Sequence, residues 1–516
     1  MFRRAAWPTM PRRCSANEPR PTPAARPAWK GARMASPFEG LQPESLWRHF
    51  EALTRIPRCS GNEAATAAHL LEFARGRNLA AEKDAAGNVV VRLPASPGKE
   101  SAPGVVLQGH LDMVGEKDSS SRHDFARDPI PVVRRGEWLG ADGTTLGADN
   151  GIGLAAALAI LEEKNLVHGP IEILATVDEE TGLTGAQNLK PGFVRGKILL
   201  NLDSEEEGAI YVGCAGGADT LLELPLARQP GKARPYRVHV HGLRGGHSGL
   251  DINTGRGNAI RVLAQFLLHL SREARFELCA FEGGNKHNAI PREAFAVIRM
   301  GDGARKKAEK LLQTERADLS AMFGRADSGV AIDIAPCEQT PDALKPRAAR
   351  QFLRLVLALP HGVLAMSQDI PGLVESSTNL AVVRVGEQSA LLHESSRSSV
   401  MPALRRIQEG IVSLGELSGA RVEPKGGYPG WQPNMASAVL ARARGVHQRL
   451  FGKEPAVKAI HAGLECGIIG EKCGGMDMIS FGPQIESPHS PSERVHIESV
   501  GRFYQFLKAL LQDLAG

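Results

Sequence analysis

Two kinds of apolar patterning alternate along the chain. Over 45–55 the stripe Leu46, Phe50 and Leu53 has helical spacing, and it stops at Pro57 and Gly61. A second helix is expected over 62–77. Short unbroken apolar runs follow at 88–92, 105–108, 171–177 and 198–202, with a long helix over 153–163 between two of them. Runs such as Gly104-Val105-Val106-Leu107 and Ile198-Leu199-Leu200 do not alternate with polar residues. They predict strands buried on both faces, hence a largely parallel sheet covered by helices.

Past 213–217 the pattern changes. Residues 236–241 alternate, as a one-sided antiparallel strand would. A helix over 257–273 and strands over 276–281 and 294–299 follow. A second cycle of similar content runs from 330 to 417, with helices over 349–357 and 402–417. The chain then returns to helix–strand–helix at 435–450, 478–481 and 500–514. The expected fold is therefore α/β: a mostly parallel central sheet flanked by helices, interrupted by a large two-lobed α+β module. The boundaries expected are 34–212 and 427–516 for the interrupted domain and 213–426 for the insertion.

A length of 516 residues fits more than one core. The formal net charge of +5 misleads, because residues 1–33 carry eight Lys/Arg against the single acid Glu18. That leaves 54 of the 62 basic and 56 of the 57 acidic residues for a nearly neutral body, which gives no electrostatic reason to expect nucleic acid. The leader holds six prolines and no apolar core of the secretory kind. It is expected to be a disordered or spurious extension, with a transit-like segment as the alternative and the folded chain opening near Met34. The longest apolar run, 152–161, is far short of the ~20 residues of a membrane span. Seven cysteines without a Cys-x-x-Cys point to free thiols in a reducing compartment.

Acids and histidines gather where the buried runs end, the place where open α/β sheets put their sites. His110 and Asp112 are two apart in an extended segment and so point the same way, as a metal ligand and its supporting carboxylate would. Asp149 lies in a Gly-rich turn before the 153–163 helix, where capping that helix is the alternative role. A Gly-x-Gly-x-x-Ala string at 151–156 does not make a dinucleotide site, because a polar loop precedes it rather than a strand. Asp178, Glu179 and Glu180 end another buried run, and the turn at Thr181-Gly182 lets both glutamates face one site. Asp203 ends a fourth run, and 205–207 read as a solvated charge run. His489 sits in a loop stiffened by Pro488 and Pro491. Two histidines and three carboxylates from separate strand ends are a suitable ligand list for two divalent metals.

In this order the motifs resemble the M20 family of metallopeptidases, closely its aminoacyl-histidine (Xaa-His) dipeptidase branch. The resemblance rests on GHLDMV at 109–114, LGADNGIG at 146–153, DEETGLTGA at 178–186 and NLDSEEEG at 201–208. GGHSG at 245–249, NAIPREAFA at 288–296 and HSPSERVHIES at 489–499 complete it. It runs from about residue 43 to the C-terminus, and residues 1–33 have no counterpart. It implies a di-zinc peptidase domain whose insertion is a lid. His110 and Asp203 are implied as ligands of one metal, Glu180 and His489 of the other, with Asp149 bridging. Glu179 is implied as the general base and Asp112 as the support of His110. His247 is implied as the donor to the oxyanion, and Asn288, Arg397 and Gly463 as substrate contacts.

The expected activity is cytoplasmic hydrolysis of dipeptides, Xaa-His including β-alanyl-histidine, by a metal-bridging hydroxide with Glu179 moving the protons. The cofactors implied are two divalent ions, Zn2+ first, with Mn2+ or Co2+ as alternatives. A dipeptide is the expected partner and a homodimer stays open; neither nucleic acid nor membrane is expected. Another M20 amidohydrolase, an aminoacylase or tripeptidase, is the nearest alternative, and an inactive metal-binding protein of this fold a more distant one. The lid of about 210 residues is roughly double a one-lobed lid, which favours the dipeptidase branch. All the ligands lie outside 213–426, whereas His247, Asn288 and Arg397 lie inside it. The complete site should therefore span two domains joined by Gly-rich crossings.

Overall fold

The computed structural model describes residues 36–338 and 341–516. The expectations for 1–33 and for a start at Met34 lie outside the described residues. An eight-stranded sheet runs in the order Ala80–Lys83, Val89–Leu93, Ile171–Thr176, Val105–His110, Ile198–Asn201, Asp477–Ser480, Ala209–Cys214, Ala456–Ile460. Its four middle strands, from Ile171–Thr176 to Asp477–Ser480, are mutually parallel. The sheet as a whole is mixed, because Ala80–Lys83, Val89–Leu93 and Ile171–Thr176 pair antiparallel, and Ser480 meets Tyr211 antiparallel. The first of these pairings follows from a hairpin connection too short for a crossover.

Strand burial explains the non-alternating runs. Every residue of Val105–His110 and of Ile171–Thr176 is buried. The helix Ala148–Ile160 is buried along its whole length on one face of the sheet, and Ile497–Ala515 closes over the same core.

The insertion carries one continuous antiparallel sheet of nine strands. Its halves meet between Glu277–Gly283 and Val374–Val385 through only two residue pairs, Glu282 with Arg384 and Gly283 with Val383. Helices Ala259–Glu273, Asp302–Phe323, Pro346–Ala358 and Met401–Leu417 belong to this part. The 22-residue helix Asp302–Phe323 has no counterpart in the sequence reading. It buries only Ala308, Leu312, Glu315 and Leu319, a stripe too thin to stand out among so many charges.

The insertion packs its own core, separate from that of the eight-stranded sheet. Chain enters and leaves it by two crossings that pair with each other. Cys214 and Trp431 exchange backbone hydrogen bonds of 2.9 Å, and Gly217 and Tyr428 exchange bonds of 3.1 Å. Glycine is required at this crossing: a Cβ on Gly216 would lie 2.5 Å from the Gly430 nitrogen.

Candidate active site

The four parallel strands end on the same side, and the chemistry-bearing residues follow them. His110 is the last residue of its strand, and Asp203 comes two residues after Ile198–Asn201. Beyond Ile171–Thr176 the chain turns through Asp178, held in the left-handed region at φ 51°, into the single helical turn Glu179–Gly182. The reversal therefore begins one residue ahead of the glutamates rather than at Thr181-Gly182. Thr181 and Thr184 donate their hydroxyls to the Asp178 carboxylate and hold it there.

Asp149 stands at the centre. Its Oδ1 lies 3.1 Å from His110 Nε2 and its Oδ2 3.1 Å from His489 Nε2. Asp203 Oδ1 is 3.2 Å from the same His110 nitrogen, and Glu180 Oε2 is 3.0 Å from His489 Nε2. Two groups of imidazole and carboxylate thus share one aspartate. Donor atoms around a tetrahedral zinc with bonds of ~2.0–2.1 Å stand ~3.3 Å apart, close to these separations. Glu180 Oε1 is buried without a hydrogen-bond partner, and Asp203 Oδ1 meets the same His110 nitrogen that Asp149 meets. Buried charge of that kind needs a counter-ion, so the residues present fit divalent cations.

A second acidic group, Glu63, Asp112 and Asp178, is different in kind. Its oxygens already accept hydrogen bonds: Glu63 from the Gly61 and Asp178 amides, Asp112 from Ser60 and from the amides of Glu179 and Glu180. Asp112 thereby does two jobs. Its Oδ1 lies 3.3 Å from His110 Nδ1, which leaves Nε2 to face the cluster, and its two oxygens fix the turn that carries both glutamates.

Burial pushes the Glu179 carboxyl well above the ordinary range, opposed by His110 and reinforced by Asp203, Glu465 and Glu180. Burial also raises Asp203. Asp149 is held below the carboxylate range: burial opposes this, but the hydrogen bonds to His110 and His489 prevail. His489 is pushed up to about 11 by its hydrogen bond to Asp149 and then that to Glu180.

Two buried residues that the sequence reading did not single out shape this centre. The Arg58 guanidinium donates to the carbonyls of Leu111 and Asp112 at 3.0 and 2.6 Å and to that of Gly147, tying the His110 loop to the Asp149 loop. The Glu493 carboxylate accepts the amides of Leu146, Gly147, Ala148 and Asp149 at 2.7–3.2 Å. Glu493 lies inside the 489–499 motif; nothing in the local pattern around Arg58 marks it. The 205–207 run is also not simply solvated. Glu205 is largely enclosed and pushed up to about 8 by burial and by Asp149 and Asp203, Glu206 bonds Tyr211 and Lys458, and Glu207 pairs with Arg502.

The other expected residues form a second cluster, with His247, Asn288 and Arg397 on the insertion and Gly463 on the segment that follows it. His247 accepts the amides of Gly249 and Leu250 on Nδ1 at 3.2 and 3.1 Å. In the neutral ring this puts the proton on Nε2, a ready donor. Burial and then Arg397 lower its pKa, with Asp251 opposing. The Asn288 carbonyl accepts the Ser248 amide, so the two loops run side by side. Arg397 is buried and donates to the Tyr428 hydroxyl at 2.8 Å, while its Nε has no partner. Gly463 lies under that tyrosine, where a Cβ would come within 2.7 Å of the ring. His461 reaches across to Ser377 of the inserted sheet at 2.7 Å. No hydrogen bond or ion pair among the described residues joins His247, Asn288 or Arg397 to the His110–Asp149–His489 cluster.

Residues 106–513 match the model of peptidase family M20/M25/M40. The chain is 42% identical over 481 residues to a protein of Escherichia coli (strain K12) named cytosol non-specific dipeptidase, covering 93% of this chain and 99% of that one. Its structure is similar to the crystal structure of aminoacylhistidine dipeptidase from Vibrio alginolyticus, with a TM-score of 0.86 and 39% identity over 92% of this chain and 98% of that one. An aminopeptidase structure from Bacillus cereus matches with a TM-score of 0.54 and 16% identity over 92% of this chain and all of that one, a likeness of fold alone.

Proposed function

The chain belongs to the M20/M25/M40 peptidase family, and on that premise we propose that it is a metal-dependent dipeptidase of the cytoplasm, hydrolysing Xaa-His dipeptides including β-alanyl-histidine. The observation that carries the reading is Asp149, which divides its two oxygens between His110 and His489. The named activities of the Escherichia coli and Vibrio relatives supply the substrate class. Two zinc ions, or manganese or cobalt, are assigned here: His110, Asp203 and Asp149 would hold one, Glu180, His489 and Asp149 the other. Such ions supply a water that is acidic near neutral pH and a positive charge that polarises the scissile carbonyl.

The protein's own groups do the rest. Glu179 takes a proton from the attacking water and delivers it to the leaving amine. His247 donates from Nε2 to the carbonyl oxygen as charge gathers there, a contact of the kind worth about 3–4 kcal/mol. Arg397, held by Tyr428, presents its remaining fork to the terminal carboxylate. Asn288 and Gly463 are assigned as further substrate contacts. Capturing the terminal carboxylate in this way is how the site would reject longer chains. Residues 34–212 and 427–516 are assigned as the catalytic domain and 213–426 as its lid, so lid closure brings His247 to the scissile bond.

A hydrolysis panel tests this: β-alanyl-histidine, other Xaa-His dipeptides, a tripeptide and an N-acetyl amino acid, each with and without chelator. Chelator-sensitive cleavage of the dipeptides alone is expected. Preference for the N-acetyl amino acid or the tripeptide would overturn the assignment.

A further inference from the structure

Beneath the ligand cluster runs a line of buried polar side chains that the mechanism does not use. Period two along a strand puts Gln108 on the same face as His110, and Asn201 on the same face as Asp203. Gln108 and Asn201 are register partners, and the Asn201 amide donates to Gln108 Oε1 at 2.5 Å. Ser480, on the next strand, donates to Asn201 Oδ1 and lies 2.7 Å from the Ser204 hydroxyl. At the other end Thr176, last residue of the strand that leads to Glu179 and Glu180, accepts from Gln108 Nε2 at 3.3 Å.

The line ends on Glu465, from the helix Glu465–Lys472 outside the sheet. One oxygen, Oε2, accepts both Gln108 Nε2 at 2.7 Å and Thr176 Oγ1 at 2.6 Å. Gln108, Thr176, Asn201, Ser480 and Glu465 are all at most 1% exposed. Glu465 Oε1 has no hydrogen-bond partner, and Asp203 and Glu179 are among the charges around it. A carboxyl enclosed in this way costs stability, and an apolar side chain would fill the space without that cost.

We propose that Glu465 is a positioning residue for the metal-binding strand ends: its single acceptor oxygen ties the Gln108 and Thr176 side chains together where His110 and Glu180 leave the paired strands Val105–His110 and Ile171–Thr176. The inference rests on the reading of His110, Asp203 and Glu180 as metal ligands. Glu465 belongs to the five-residue stretch 461–465, whose other end places His461 against the inserted sheet and Gly463 under Tyr428. The same short segment therefore sets both halves of the site.

The test is zinc affinity of the full chain after metal removal, read by competition with a fluorescent chelator, so no peptide is involved. Glu465→Leu should weaken zinc binding tenfold or more, the loss usual when a group that orients ligands is removed. Glu465→Gln keeps an acceptor oxygen and should stay within about threefold of the parent, on the same outer-shell scale. Thr176→Val, which removes one of the two donors without changing volume, carries the test if Glu465→Leu does not fold; several-fold weakening is expected. In turnover with saturating zinc, Glu465→Leu should lower kcat with little change in KM. Unchanged zinc affinity in Glu465→Leu or Thr176→Val overturns the proposal, as does equal weakening by Glu465→Gln and Glu465→Leu. Failure of the parent chain to bind zinc would instead overturn the ligand reading, and this inference with it.

Discussion

Glu493 accepts the backbone amide of Asp149 at 3.2 Å across 344 residues of chain. Together with the amides of Leu146, Gly147 and Ala148, that bond makes one carboxylate the anchor of the loop presenting the shared aspartate. Glu493→Ala leaves four buried donors unmatched, so the loss of stability should exceed the about 1–3 kcal/mol of one such donor. Thermal unfolding in excess chelator measures it apart from any effect of metal. Zinc content should fall as well, and Glu493→Gln, which keeps one acceptor oxygen, should be intermediate in both.

Glu179 and Glu180 are neighbours with opposite expected behaviour. Glu180 lies against His489 and has an unpartnered oxygen, whereas the Glu179 side chain has no such contact with either histidine. Glu179→Ala should cut turnover by about 10²–10⁴-fold with metal content unchanged. Glu180→Ala should deplete metal. Elemental analysis beside turnover distinguishes them, and loss of metal in Glu179→Ala would reassign that residue as a ligand.

The contrast shows what the sequence could carry. Ligands at strand ends were legible because buried, non-alternating runs such as Val105–His110 stop at acids and histidines within a few residues. Arg58 and Glu493 were not, because their importance lies in backbone groups of loops distant in sequence. No local spacing reports on a carbonyl at Leu111 or an amide at Leu146. The Asp302–Phe323 helix was hidden for a different reason: a mostly solvent-facing helix needs few apolar residues. The insertion reads as two similar units because its two cycles repeat in content; that its halves join into one sheet through two residue pairs is something composition does not encode.

His247 lies in the lid with Nδ1 occupied by two backbone amides. His247→Ala should therefore lower turnover by about 10²–10³-fold, the effect of one lost oxyanion donor, with metal occupancy intact. Mixing inactive His247→Ala and Glu179→Ala chains should restore nothing if one chain completes its own site. Recovered activity in the mixture would show that the histidine acts across a dimer.

Glu394, buried in the lid, is pushed up to about 8 by burial, against a Thr378 hydrogen bond and the field of Arg261, which both favour the ionised form. A raised carboxyl contributes stability that is fully present below its unfolded pKa near 4.5 and is lost as pH climbs toward about 8. Over that window the loss is on the order of 1.4 kcal/mol per pH unit. Glu394→Gln removes the titration. Its melting temperature should gain on the parent's steadily between pH 5 and pH 8.5, and a gap independent of pH would show that Glu394 does not titrate there.

With Asp149 divided between His110 and His489, the proposed centre takes two cations per chain and needs both for peptide hydrolysis. Zinc should be titrated into metal-stripped protein while cleavage of β-alanyl-histidine is followed. No cleavage is expected without metal, and activity should return to a plateau at two equivalents per chain. Cleavage by the stripped protein, or a plateau at one equivalent, would contradict the shared-aspartate centre.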